Sequence, residues 1–127
     1  MNTKRTFSPE ASPKALGPYN HGCQIGNLLY TAGQIPIDPE TGALVEGDIT
    51  AQTNRVLDNI AILLSAESLS FENVVKTTIF LVDLKDFQQV NAAYAERFVS
   101  NYPARSTIQV VALPMGSQIE IEIVAHY

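Results

Sequence analysis

One arginine and a pair of glutamates are the side chains of this sequence best placed to do chemistry. Arg105 sits in NYPARSTIQVV (101 to 111), behind a Tyr-Pro stop and ahead of an apolar run, in a chain holding 13 Asp and Glu against 8 Lys and Arg. A guanidinium is planar, stays charged at working pH and presents a fork that matches a carboxylate through two hydrogen bonds. Arg105 is therefore a candidate anchor for a small anionic ligand, and Pro103 stiffens the backbone that carries it. The competing use is a snorkelling surface arginine or an ion pair within the fold. In SQIEIEIVAHY (117 to 127), alternation puts Ile119, Ile121 and Ile123 on one face and Gln118, Glu120 and Glu122 on the other. A glutamate there, partly desolvated by a covering surface, has a raised pKa and can act as general acid or base for a bound water. Spacing alone does not choose between Glu120 and Glu122.

Other positions carry weaker signals. Tyr19 follows Gly-Pro in LGPYN (16 to 20), which projects its phenol from a loop. Gly33 in TAGQ (31 to 34) allows a ligand close to the backbone, although a bulge is the commoner reason for a strand glycine. Cys23, the single cysteine, reads as a small buried hydrophobe. With only two histidines, His21 and His126, no metal-ligand spacing appears, and no phosphate loop, nucleophile elbow or Ser-His-Asp arrangement is present.

The elements that must position these residues follow from periodicity. From Asp48, the apolar residues Ile49, Val56, Leu57, Ile60, Leu63 and Leu64 recur at helical spacing, with Asp48 or Thr50 as N-cap. A second helix is expected after Asp86, with Phe87, Val90, Tyr94 and Phe98 in one stripe and an end near Tyr102-Pro103. CQIGNLLYTAGQIPI reads as two short strands joined near Gly26-Asn27, DPETG (38 to 42) as a turn, and NVVKTTIFLVD (73 to 83), STIQVVAL (106 to 113) and SQIEIEIVAHY as further strands. Together these predict an α+β domain spanning residues 1 to 127: a single mixed sheet of about six strands with two helices on one face. In the 73 to 83 strand, Val75, Thr77, Ile79 and Leu81 are expected on one side and Val74, Phe80 and Val82 on the other, so both faces look apolar. One helical layer covers one face only, and another copy of the chain is the economical cover for the second.

Composition narrows the function classes. The 127 residues are 46% hydrophobic and 17% charged, which suits one globular domain. A formal charge of −5 without a basic cluster disfavours nucleic acid as partner. No run of apolar residues is long enough for a membrane span, and none near the start suits a signal peptide, so a cytoplasmic protein is expected.

GPYN (17 to 20), YTAGQIPIDPETG (30 to 42), YPARS (102 to 106) and ALPMGSQIEIEIVA (112 to 125), in that order and spacing, resemble the RidA family of enamine/imine deaminases. The resemblance spans nearly the whole chain. It implies a chorismate-mutase-like fold and a homotrimer with sites in clefts between subunits, and no cofactor. It implies further that Arg105 grips the carboxylate of a small 2-imino or 2-keto acid, that Glu120 rather than Glu122 handles the water, and that Tyr19, Gly33, Asn91 and Thr107 line the same cleft. The implied reaction is hydrolysis of 2-aminoacrylate and related 2-imino acids to 2-keto acids and ammonia. A non-catalytic trimer that binds 2-keto acids is the alternative. The chain departs from the family pattern at Thr107, where several members carry Cys, at Val111, where a small residue or Lys is common, and at Asn20-His21, where Ser-Gln is frequent. These changes bear on substrate preference more than on reaction type.

Overall fold

The computed structural model describes residues 3–127. Met1 and Asn2, part of the N-terminal stretch read above for a signal peptide, lie outside the described residues. Along the chain come β1 (Arg5–Phe7), β2 (Gly22–Ile25), β3 (Leu28–Thr31), α1 (Ile49–Ala66), β4 (Val74–Leu81), α2 (Phe87–Phe98), β5 (Ala104–Gln109) and β6 (Ile119–His126). The strands form one six-stranded sheet in the order β1-β2-β3-β6-β4-β5. Every pairing is antiparallel except β4 with β5, whose crossover is α2. This is the expected mixed sheet with two helices.

Helix α1 starts where the sequence places it: the Asp48 carboxylate accepts the Ala51 N–H at 3.0 Å, satisfying one of the orphan donors of the first turn. Its buried side chains, Ile49, Val56, Leu57, Ile60, Leu63 and Leu64 among them, recur three and four apart and face the sheet. Of these, Ile49, Val56, Leu57, Ile60 and Leu64 meet Leu29, Ile79, Leu81, Ile119, Ile121 and Ala125 from the strands and Val90, Tyr94 and Phe98 from α2. Each such side chain taken fully out of water contributes roughly 1.5 to 3 kcal/mol. Asn59 is buried on α1, and its Nδ2 donates to the carbonyls of Ile35 (3.3 Å) and Ile37 (2.9 Å), which ties the segment after Gly33 to the helix.

Local departures from the expected elements have physical causes. Asp86 occupies the N-cap position of α2 but makes no side-chain cap; the carboxylate that caps is Asp83, accepting from Lys85 N–H at 2.9 Å in the short 3-10 turn that leads into the helix. Phe87 is 40% exposed and does not share the buried stripe of Val90, Tyr94 and Phe98. In β4 a register shift between Val74 and Lys76 inserts an extra residue, so Val74 turns inward and Val75 outward, opposite to strict alternation. Beyond the bulge, Thr77, Ile79 and Leu81 face the helices as expected. Strand β5 takes in Ala104 and Arg105 and ends at Gln109, and Val111 is fully exposed in the loop that follows, because Leu113-Pro114 turns the chain toward β6. The three-residue β1 was not anticipated; it is too short to show a period, and Phe7 holds it by covering Gly22 of β2.

The sheet face away from the helices is mixed rather than uniformly apolar. Phe80, Ile108, Val124 and Tyr30 stand there among Lys76, Thr78, Ser106, Glu120 and Glu122, and Tyr30 and Ile108 are 44% and 46% exposed. Cys23 pairs with Tyr30 on that side and is half-buried, so the buried hydrophobe expected from its strand position is not what the fold makes of it. Among the described residues no helix is long and apolar enough to cross a membrane.

A candidate active site in two halves

Arg105 is the second residue of β5 and lies in register with Thr77 of β4, on the helix side of the sheet. Its Nε–H donates to Thr107 Oγ1 at 2.8 Å, and its Nη2 donates to Asn91 Oδ1 at 2.5 Å. The guanidinium carbon lies 4.8 Å from the centre of the Tyr94 ring and 5.3 Å from that of Phe87, a cation–π pocket that fixes the plane of the fork. Tyr94 is held from behind by a 2.9 Å hydrogen bond between its hydroxyl and Thr77 Oγ1. Phe87, Asn91 and Tyr94 are spaced i, i+4 and i+7 on α2, one face of the helix. That spacing was the available sequence signal for Phe87 and Tyr94, which the core-stripe reading had absorbed.

Two of the five guanidinium N–H groups are used in these contacts, which leaves three for a ligand. The two acceptors are neutral, and among the described residues no carboxylate pairs with Arg105. Burial draws its pKa down from the usual arginine value, and Tyr94 opposes that shift. A half-buried cation with an open fork and no counter-ion from its own chain suits an incoming anion.

The second half gathers on the opposite sheet face. Glu120 of β6 is in register with Phe80, between the inward-facing Ile119 and Ile121. Its carboxyl group lies on the backbone of Gly33: a Cβ at residue 33 would stand 2.6 Å from Glu120 Cδ and 2.7 Å from Oε2. Gly33 is thus the seat of the carboxylate, a role its sequence context did not reveal. Burial, and secondarily the negative charge of Glu122, push the Glu120 carboxyl above the usual glutamate pKa. Glu122, two residues on, is exposed. Gln34, next to Gly33, exchanges backbone hydrogen bonds with Ile121 (2.8 and 3.0 Å) and locks this segment to β6. The Gln34 side chain donates to His21 Nδ1 at 3.1 Å, and the His21 ring meets Tyr19 edge-on at 5.8 Å. Tyr19, Gly33 and Glu120 therefore belong to one continuous set of contacts, while Arg105, Asn91 and Thr107 belong to another.

The two halves do not meet within one chain. Arg105 and Glu120 leave the sheet by opposite faces, two strands and three register positions apart, a Cα separation of about 14 Å from strand spacing and rise. The cleft between the starts of the two helices, lined by Asp48, Asp83, Asp86 and Gln118, contains neither residue. Among the described residues no cluster of three or more His, Cys, Asp and Glu side chains could hold a metal ion.

A mixed six-stranded sheet with two helices on one face is the architecture of a small α+β protein. Comparison with known proteins agrees: the family model described as Endoribonuclease L-PSP matches residues 9–127. The chain belongs to that family, the RidA family. A human protein named 2-iminobutanoate/2-iminopropanoate deaminase is 44% identical over 122 residues, 96% of this chain and 89% of the relative. A Yersinia pestis structure described as a protein of the conserved Rid family superposes with a TM-score of 0.95 at 43% identity, covering 98% of this chain and all of that one. Escherichia coli TdcF, solved with bound serine, superposes with a TM-score of 0.90 at 34% identity, covering 97% and 98% of the two chains.

Proposed function

We propose that this protein hydrolyses small 2-imino acids to 2-keto acids and ammonia, in sites built from the Arg105 half of one protomer and the Glu120 half of the next. The observation that carries the reading is the half-buried Arg105 guanidinium, oriented by Thr107, Asn91, Phe87 and Tyr94, with no carboxylate of its own chain beside it. A substrate carboxylate supplies the missing charge. Support comes also from the deaminase name of the human relative and from the serine bound to TdcF, an amino acid of the expected size.

The chemistry needs little machinery. A protonated imine is already electrophilic at C2, so the protein's tasks are to fix the carboxylate and to place one water. In the reading proposed here, Glu120 as carboxylate takes a proton from the water as its oxygen bonds to C2, giving a carbinolamine. The same proton is returned to the amino nitrogen; as the C–N bond breaks and ammonia leaves, Glu120 takes the hydroxyl proton so that the oxygen becomes the keto group, and that proton departs with the ammonia as ammonium. A carboxyl whose pKa is raised by burial is a stronger base than an ordinary glutamate, which favours taking the proton from water. Positioned acid–base catalysis of this kind contributes roughly 10²- to 10⁴-fold.

Because the half-sites lie on opposite faces, the contact that joins them is head-to-tail, and such a contact forms a ring when the rotation between successive copies closes. A homotrimer with three equivalent sites is the proposed assembly, with Phe80, Ile108 and Val124 of the open sheet face within the interface. The test is keto-acid release while a dehydratase generates 2-iminobutanoate or 2-aminoacrylate in place, with semicarbazide trapping the imine. Wild-type protein is expected to accelerate release and Arg105→Ala is not. If no imine is turned over while 2-keto acids or serine still bind, the chain is a metabolite-binding protein.

A further inference from the structure

We infer that His21 is a positioning residue for this site, clamping the Tyr19 loop onto the Gly33–Gln34 segment as a neutral ring protonated on Nε2. The inference rests on the proposed function for its link to turnover, and on geometry alone for the clamp.

His21 is 5% exposed and Gln34 is 2% exposed. The His21 Nε2 lies 2.6 Å from the carbonyl oxygen of Pro13. A carbonyl only accepts, so Nε2 carries the hydrogen. Nδ1 is then a lone pair, matched by the Gln34 side-chain amide at 3.1 Å. That amide cannot turn around, because its second hydrogen is taken by the Ala32 carbonyl, also at 3.1 Å. The polarity of the chain Ala32, Gln34, His21, Pro13 is thereby fixed along its length. Among the described residues, the other hydrogen bonds made by residues 9 to 19 are local: Ser12 to Pro9, Tyr19 to Gly17, and Leu16 to the Tyr19 hydroxyl. The ring of His21 is thus the polar tether that attaches this loop, with Tyr19 on it, to the strand segment that seats Glu120.

A doubly protonated ring would point an N–H at the Gln34 amide hydrogens, so the clamp holds only with the neutral ring. The groups packed on the ring are uncharged: Pro13 from the loop, Gln34 from the following segment, and Tyr19 edge-on. Glu10 and Lys14 on the loop are exposed, Glu120 lies one residue beyond Gln34 on Gly33, and among the described residues no ion pair involves His21. A glutamine in this position, with an amide donor and acceptor spaced much like the two ring nitrogens, reproduces the clamp without the ability to charge.

The experiment uses full-length wild-type protein, His21→Gln and His21→Leu. Long-range proton–nitrogen NMR of the wild type is expected to show the Nε2–H tautomer for His21. Hydrogen exchange of the amides between residues 12 and 20 is expected to be roughly tenfold faster in His21→Leu and near wild type in His21→Gln. In the imine assay, His21→Leu is expected to lose activity that His21→Gln restores. An Nδ1–H or charged ring at neutral pH, or unchanged exchange in His21→Leu, overturns the clamp. A loosened loop with undiminished turnover overturns its role in positioning. If wild-type protein turns over no imine, the deaminase reading fails, and the tautomer and exchange results still decide the clamp.

Discussion

Gly33→Ala tests whether the Glu120 seat is the working position of that carboxylate. The Gly33 backbone lies outside the left-handed region, so alanine is compatible with its conformation and the perturbation is purely one of space. The added methyl would stand 2.6 Å from Glu120 Cδ, 2.7 Å from Oε2 and 2.9 Å from Cγ, against about 3.5 Å or more for carbon atoms in contact. The carboxyl group must therefore move by about 1 Å, and because it is the end of a flexible side chain it can do so without unfolding the sheet. The expected loss of stability is about 1 to 3 kcal/mol, the range for an added methyl group in packed surroundings. The expected loss of turnover is up to about 10²-fold, the penalty of displacing a reacting group by that distance. Keto-acid release measures the second effect and thermal unfolding the first. In a Glu120→Gln background the same glycine substitution should cost much less activity, since the two changes act through one carboxylate. Full turnover by Gly33→Ala with an intact fold would refute the reasoning and remove the Gly33–Glu120 contact from the mechanism.

Glu120→Gln is expected to abolish most turnover and Glu122→Gln little of it, measured side by side; the reverse order would transfer the role to the exposed glutamate. Since burial raises the Glu120 pKa, turnover should fall as pH drops through that raised value and the carboxylate takes up its proton, a limb that Glu120→Gln lacks. The stability effect has the opposite sign. A folded-state pKa above the unfolded one penalises the native state above that pKa and relieves it as pH falls, so Glu120→Gln should unfold no more easily than wild type at neutral pH. Ile108→Asp places a charge on the 46%-exposed residue of the open sheet face and should shift sedimentation from the proposed trimer to monomer; a wild type that sediments as a monomer would refute the assembly, and a trimer unchanged by the substitution would place the interface elsewhere.

Much of the fold was legible before any coordinates. A run of apolar residues at helical spacing behind Asp48 specifies α1, because capping and amphipathicity are both local properties. Alternation in Ile119, Ile121 and Ile123 specifies which face of β6 is buried, for the same reason. The type of Arg105 and its place after Pro103 made it a candidate anion anchor, and motif spacing marked the family. Other features depend on what is brought near from elsewhere in the chain. The bulge that swaps Val74 and Val75 arises from pairing with β6, and no residue of β4 announces it. Glu120 differs from Glu122 only because Gly33 lies against one of them, 87 positions earlier in the sequence. Cys23 is half-buried because its side of the sheet carries no helix. That Arg105 and Glu120 stand on opposite faces is a consequence of strand register, which is set by long-range hydrogen bonds rather than by local composition. The sequence by itself thus determined the elements, their buried faces and the chemical kinds available; only the tertiary structure decided which of those groups share a microenvironment, because burial, pKa and contact are properties of neighbours distant in the chain.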